Sequence, residues 1–364
     1  SPTEEFPIPV WIASQVFSDL IRSTALSSAL RGSSNILSYL VMQGLFAAVM
    51  LDKEKHIVPL FVGFYAGKIG ATFLDPSQLQ LIDPWKFGYG SACIALVLLA
   101  CGYLAVPRAI MAMSMLGLSL LSISIGTRSV AALALVPVLL LFYEEKDGHV
   151  NSKSRRIIAA TVIICGIGLV AFGYRAAITA GVFEVDIQAK FENQLRGGLL
   201  FGGRSELWGS IPAIVDSPII GHGSWAENER YVELQIARMR EVGVDVYSFA
   251  ETALIPTHSH LFGAWVQAGI FGALYWGAMI VVVIRALLAT GKYVGSHRVF
   301  VQFVLASYLW TILFSPLGLG SRSSSALAGA LAIYVLNRDQ SFKINRRFNC
   351  NDGPDKFYQR KASI

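Results

Sequence analysis

Apolar residues in this chain come in long blocks. Ser91 to Ala105 carries no charge, nor does Ser129 to Tyr143, and Ile157 to Tyr174 is a further uncharged run. A helix needs about 20 mostly apolar residues to cross a bilayer. In lipid, only helices and closed barrels satisfy every backbone N–H and C=O internally. The blocks lack the strict polar–apolar alternation of barrel strands. The pattern therefore predicts an all-α fold, a polytopic transmembrane helical bundle. About nine spans are expected, over 36–51, 57–74, 88–106, 109–126, 128–143, 157–179, 258–284, 299–315 and 319–336.

Composition agrees with the pattern. Of 364 residues 54% are hydrophobic and 15% charged, and mean hydropathy is +0.53. A soluble domain carries about 25% charged residues. The net charge of +6 does not point to nucleic acid, because no basic helix or aromatic-basic platform is present. Basic residues instead fill short connections: Lys53 and Lys55, Arg108, the segment from Glu144 to Arg156, the segment from Arg285 to Arg298, and the tail from Asn337 to Ile364. Such connections face the cytoplasm, and nine spans put all five on one side. The cysteines Cys93, Cys101, Cys165 and Cys350 form no CxxC pair, so neither a zinc site nor a disulfide framework is indicated.

The domain plan follows. Residues 1–35 form a periplasmic or interfacial N-terminal segment. The chain opens on Ser1 without a signal peptide, so further spans are expected upstream. Residues 36–179 hold transmembrane helices, 180–257 one large outer loop, 258–336 further transmembrane helices, and 337–364 a basic cytoplasmic tail. The loop holds eleven acids and six bases, net −5, and is the one region where acids dominate. Loops of this length are usually functional. Within it, Glu227 to Val244 has helical periodicity, with Tyr231, Leu234, Ile236 and Met239 as apolar positions.

Three places on the outer face carry candidate chemistry. Arg128, in Gly126-Thr127-Arg128-Ser129, sits between two spans. It reads as a snorkelling side chain or as an anion site, since guanidinium binds phosphate in bidentate fashion. Arg204 follows two glycines, in Gly202-Gly203-Arg204-Ser205-Glu206-Leu207-Trp208, with Asp216-Ser217-Pro218-Ile219-Ile220-Gly221-His222-Gly223 after it. An ordinary loop with a salt bridge is the plain alternative. His258 and His260, in Pro256-Thr257-His258-Ser259-His260, open a span for which Thr257 is the expected N-cap. A histidine near the positive end of a helix is held neutral and can serve as a general base. The plain alternative is a pair of interfacial polar residues. A metal reading of His258 and His260 has no evident third ligand, with His222 and the acids of the loop left as the candidates. Arg322 is a further candidate cation by position, near the outer end of the last span. Two arginines and a histidine on one face suit a reaction in which a diphosphate leaves and a hydroxyl is activated.

At these residues the chain resembles the O-antigen ligase and polysaccharide polymerase superfamily. The resemblance covers roughly Gly126 to Gly272. Thr127-Arg128-Ser129 opens a span. Gly203-Arg204, Leu207-Trp208, Pro218, Gly221 and Gly223 match a GR…LW…P..G.G pattern, and His258-Ser259, Gln267, Gly269 and Gly272 match an HN…E.G..G pattern. Ser259 stands where the family has Asn, and Gln267 where it has an acid. The resemblance implies transfer of a glycan from undecaprenyl diphosphate to a sugar or lipid A-core acceptor. The site would face the periplasm from a bacterial inner membrane. The reaction would use no cofactor, no nucleotide sugar and no metal. Arg128 and Arg204 would hold the lipid diphosphate, and His258 would activate the acceptor, with His260 as helper. Two other classes remain: a flippase or transporter of lipid-linked sugars, and a non-catalytic subunit of a polysaccharide export system.

Overall fold

The computed structural model describes residues 8–143, 204–241, 253–290 and 295–351. The expected span at 157–179 and much of the outer loop lie outside them. Among the described residues the chain is helical almost throughout, and its one β contact is an isolated bridge between Glu227 and Leu254.

Numbered in order among these residues, the helices begin with α1 (Ile8–Ile21), α2 (Leu26–Asp52), α3 (Ile57–Leu74), α4 (Gln78–Ile82), α5 (Gly90–Tyr103), α6 (Arg108–Ser124) and α7 (Arg128–Tyr143). After the first undescribed segment come α8 (Leu207–Asp216) and α9 (Glu229–Glu241), then α10 (His260–Ala289), α11 (Arg298–Phe314) and α12 (Leu319–Asn351). Eight of the nine expected spans coincide with helices at those positions. Four helical segments are long and apolar enough to cross a membrane: Leu26–Asp52, Glu54–Leu74, Trp85–Tyr103 and His260–Ala289. The first starts at Leu26, ten residues before the expected boundary. At 1.5 Å per residue its 27 residues extend about 40 Å, against a hydrocarbon core of about 30 Å.

The bundle shows its apolar side chains outward as well as inward. On α2, Leu37, Val41, Leu45 and Val49 recur every four residues and are exposed, while Ile36, Tyr39, Gln43 and Met50 face in. Phe271, Leu274, Val281 and Leu288 do the same for α10. A contiguous apolar exterior of this extent is hostile to water and suits lipid. Polar groups lie inside instead. The Tyr39 and Tyr308 hydroxyls are 2.8 Å apart, and Tyr275 donates to Gln43 Oε1 at 3.1 Å. These bonds tie α2, α10 and α11 together, and interhelical bonds between polar side chains are one of the forces that hold helices in lipid.

Helix α1 repeats this inversion. Trp11, Ser14, Gln15, Ser18 and Asp19 are buried, whereas Val16, Phe17, Leu20 and Ile21 are exposed. The buried polar stripe meets the segment 217–224 and a break in α10 at Gly269, where φ is +69°. Ser14 donates to the Ala268 carbonyl at 2.6 Å, Ser18 donates to the Ile220 carbonyl, and Arg22 Nε donates to the Gly221 carbonyl at 2.9 Å. Asp19 accepts from the Ser224 amide at 2.6 Å and its hydroxyl at 2.8 Å. Gly221 Cα lies so near the break that an added Cβ would stand 2.6 Å from Gly269 N, and one on Gly269 would stand 1.9 Å from the Ile219 carbonyl oxygen. Glycine at both positions, each at positive φ, is therefore a packing requirement.

The two ends of the bundle differ in character. At one end Glu54, Leu99, His297, Tyr334 and Arg338 line a common cavity. Arg338 holds Glu54 through two bonds of 2.5 and 3.0 Å. Three of the five basic connections reach that cavity, through Glu54, His297 and Arg338, and a further one, 144–156, lies outside the described residues. The opposite end gathers the candidate chemistry.

Candidate functional site

The site grows from the C-terminal end of α11. The last four carbonyls of a helix have no partner within it. Here Ser259 donates to the Ile312 carbonyl at 3.0 Å, Arg204 Nη1 to Phe314 at 2.8 Å, and His260 Nδ1 to Ser315 at 2.6 Å. Three side chains from two segments thus complete one helix end, and a cation there also complements the negative pole of the helix dipole. This capping fixes where Arg204 and the 258–260 segment lie relative to one another.

The outcome is a cluster of opposite charges. His258 Nδ1 lies 3.4 Å from Glu206 Oε1, with side chains 43% and 24% exposed. The separation is longer than a strong hydrogen bond. His258 sits two residues before α10, because Ser259 rather than Thr257 is the N-cap and accepts from the Phe262 amide at 3.2 Å. Loss of solvation lowers the His258 pKa from 6.5; Glu206 opposes this, while Arg204 and Lys86 reinforce it. The imidazole is therefore neutral near neutral pH and can accept a proton. Desolvation also lowers the Arg204 pKa, opposed by Glu206, and the guanidinium keeps its charge.

Arg204 packs its guanidinium over Phe314, 4.7 Å from the ring centroid, and Trp310, at 5.7 Å. One nitrogen holds Phe314 O, so the planar fork is oriented before any anion arrives.

The remaining expected residues lie at the same end in different roles. His260 is 1% exposed. A carbonyl only accepts, so Nδ1 carries the proton toward Ser315, and Nε2, 3.0 Å from the Ser325 hydroxyl, is left to accept from it. Both nitrogens are committed, and His260 acts as a strut between α10 and the start of α12. Arg322 binds Ser38 Oγ at 2.7 Å and Asn35 Oδ1, both neutral groups. Arg128 is the exposed first residue of α7. It follows a tight turn in which Gly126, at φ +79°, ends α6 and the Thr127 amide and hydroxyl both reach the Ser122 carbonyl. The α6 end is tied to Trp85, whose indole donates to Ser122 Oγ at 2.9 Å.

Beside the cluster lies a cavity of about 390 Å³. Glu206 and His260 contribute to its wall; His258, Arg204, Arg322 and Arg128 are not among its lining residues. Among the described residues no group of three or more His, Cys, Asp and Glu side chains is placed to hold a metal. His222 is engaged elsewhere, with Nε2 2.7 Å from the Ala213 carbonyl oxygen.

No family model, curated protein or solved structure matches this chain. The case for a function therefore rests on geometry.

Two neighbours of His258 escaped sequence reasoning. Glu206 appeared there only as part of a loop motif, because its partner His258 is 52 positions away. Lys86 sat unremarked in an outer connection, yet its charge reaches His258. The loop helix formed as expected, at Glu229–Glu241, but its buried positions are Tyr231, Gln235 and Met239, and Leu234 is 39% exposed.

Proposed function

We propose that this protein transfers a glycan from a polyprenyl diphosphate, of the undecaprenyl type, to a sugar acceptor at the periplasmic face of a bacterial inner membrane. It would act as an O-antigen ligase or as a surface polysaccharide polymerase. The observation that carries the reading is the meeting of Arg204, Glu206 and His258 at one end of an apolar-sided bundle.

In this reading His258 accepts the proton of the acceptor hydroxyl as the oxygen attacks the anomeric carbon. The bond from that carbon to the diphosphate oxygen breaks, and the lipid diphosphate leaves with both electrons. Glu206 orients the imidazole and stabilises the imidazolium that forms. Arg204 neutralises the departing diphosphate, which is the larger contribution because charge develops there. Arg128 and Arg322 add positive charge at the same end. His260 supports the site through the Ser315 carbonyl.

A transporter reading keeps one observation. Lys68, within α3, has Ser91 Oγ at 3.4 Å as its hydrogen-bond partner, and an ionisable residue at membrane depth marks a transport path in many carriers. It is a single residue, and the acid–base pair with its arginine has no role in that scheme.

The test is reconstitution of the full chain in liposomes with an undecaprenyl-diphosphate-linked glycan and an acceptor glycan, measuring released undecaprenyl diphosphate. The expected result is release that falls about 10²-fold or more in His258→Ala, in line with loss of a general base. Release at the wild-type rate in that variant would refute the assignment.

A further inference from the structure

The cavity beside His258 has walls of a distinctive chemistry. Side-chain amides come from Gln15, Asn35, Gln235 and Gln267, indoles from Trp11, Trp225 and Trp276, and among the described residues Glu206 is the one lining side chain that is an acid or a strong base. Four buried polar atoms without hydrogen-bond partners belong to these residues: the indole nitrogens of the three tryptophans and Glu206 Oε2. A buried polar group without a partner is uncommon and calls for an explanation. Trp225 is also held at φ +53°, with Arg31 stacked 3.7 Å from its ring centroid. A bulky residue in the left-handed region is an outlier that the surroundings must enforce, and such outliers gather at ligand sites.

Amides and one carboxylate suit a polyhydroxylated, uncharged ligand: amides both donate and accept, and a carboxylate oxygen accepts from hydroxyls. The volume lies at the lower end of the ligand-pocket range of about 300–1,000 Å³, enough for a mono- or disaccharide. The cations that would serve a diphosphate, Arg204, Arg322 and Arg128, are outside the lining, so the donor's diphosphate belongs elsewhere. Glu206, in contrast, touches both the cavity and His258. An acidic sugar in the cavity would meet the Glu206 carboxylate, with no Lys or Arg in the wall among the described residues.

From this arrangement we infer that the cavity is the acceptor subsite, and that it takes an uncharged sugar residue and rejects uronic acids and sugar phosphates. The inference rests on the glycan-transfer reading for the word acceptor; the ligand class stands on the cavity alone. Glu206 selects against negative charge, and Asn35 and Gln267, the two less buried of the four amides, choose among neutral sugars.

The experiment is saturation-transfer NMR on the full chain in detergent, with methyl β-glucoside, methyl β-galactoside, methyl N-acetylglucosaminide, methyl glucuronide and glucose 6-phosphate as probes. At least one neutral glycoside is expected to bind, with no signal from the two anionic sugars. Val232→Trp, at a partly exposed lining position, should reduce the neutral signal about tenfold or more by filling the space. Glu206→Gln should raise methyl glucuronide binding relative to the neutral glycoside by about fivefold, the factor for one unit-charge repulsion near 4 Å in a water-like medium. A gain of binding cannot come from misfolding. Binding of the anionic sugars by wild type, a neutral signal untouched by Val232→Trp, or no binding by any probe would each overturn the inference. His258→Ala keeps the neutral signal, so a failure of the transferase chemistry is read separately from a failure of the subsite.

Discussion

His258 Nδ1 and Glu206 Oε1 stand 3.4 Å apart, joined from segments that the chain separates by most of its outer loop. Each residue alone is unremarkable. Together they make an acid–base pair whose imidazole is kept neutral by lost solvation and by the positive charges of Arg204 and Lys86.

The first consequence is a pH dependence with a defined sign. A base with a lowered pKa stays unprotonated to lower pH. The acid limb of transfer activity should therefore fall below the ordinary His258 value of 6.5. Lys86→Gln removes a positive neighbour and should move that limb up. Glu206→Gln removes the charge that favours imidazolium and should move it further down. Rates measured from pH 4 to 8 on the reconstituted protein check all three, and a limb that ignores both substitutions would detach His258 from the reaction.

His260 should behave differently from His258. Its nitrogens bind Ser315 and Ser325 in the interior, and each group left without a partner costs about 1–3 kcal/mol. His260→Ala is expected to lower the melting temperature of the detergent-solubilised protein. His258→Ala, at a 43% exposed side chain, should leave it within error of wild type. Thermal unfolding separates them.

The crossing at Gly221 and Gly269 allows a direct contrast. Gly269→Ala combines a positive φ of 69° with a Cβ 1.9 Å from the Ile219 oxygen, and should cost about 3 kcal/mol or more. Gly277→Ala, on the same helix, meets nothing within 4 Å and should be neutral or stabilising by about 0.5–1 kcal/mol. Melting temperatures in one detergent decide, and equal effects would contradict the break in α10.

Helix α1 inverts the usual rule for substitutions. Asp19→Ala strips the Ser224 amide and hydroxyl of their acceptor and should cost about 1–3 kcal/mol. Phe17→Leu, 55% exposed on the apolar face, should change stability by less than about 0.5 kcal/mol. The same unfolding assay applies, and a larger loss in Phe17→Leu would mean that the helix is docked the other way round.

How much of this was legible in the sequence depends on how local each signal is. Runs such as Ser91 to Ala105 carry their meaning within one segment, so helix positions could be read directly. Helix α1 could not. Ser14, Gln15, Ser18 and Asp19 look like a wet surface until Ser217 to Ser224 and the α10 break arrive from about 200 residues away. Gln235 is buried because its amide reaches Ser205 Oγ at 3.0 Å, which periodicity cannot foresee. The site divides in the same way. Arg204 and His258 stand out by residue type and position, whereas Glu206 and Lys86 acquire a role only through proximity to His258. His260 shows how little residue type says of environment: in the fold its two nitrogens meet the Ser315 carbonyl and the Ser325 hydroxyl, neither of which lies near it in the chain.

The central claim is that the Arg204, Glu206 and His258 cluster performs glycan transfer. The most direct measurement is complementation of a host lacking the gene, using the full-length protein with His258→Ala or Arg204→Ala and confirming membrane levels of each. Surface polysaccharide and lipid-linked glycan are both quantified. The account predicts loss of the long surface polymer while lipid-linked glycan accumulates outside the inner membrane. Wild-type polymer in both variants, at normal protein levels, would contradict it.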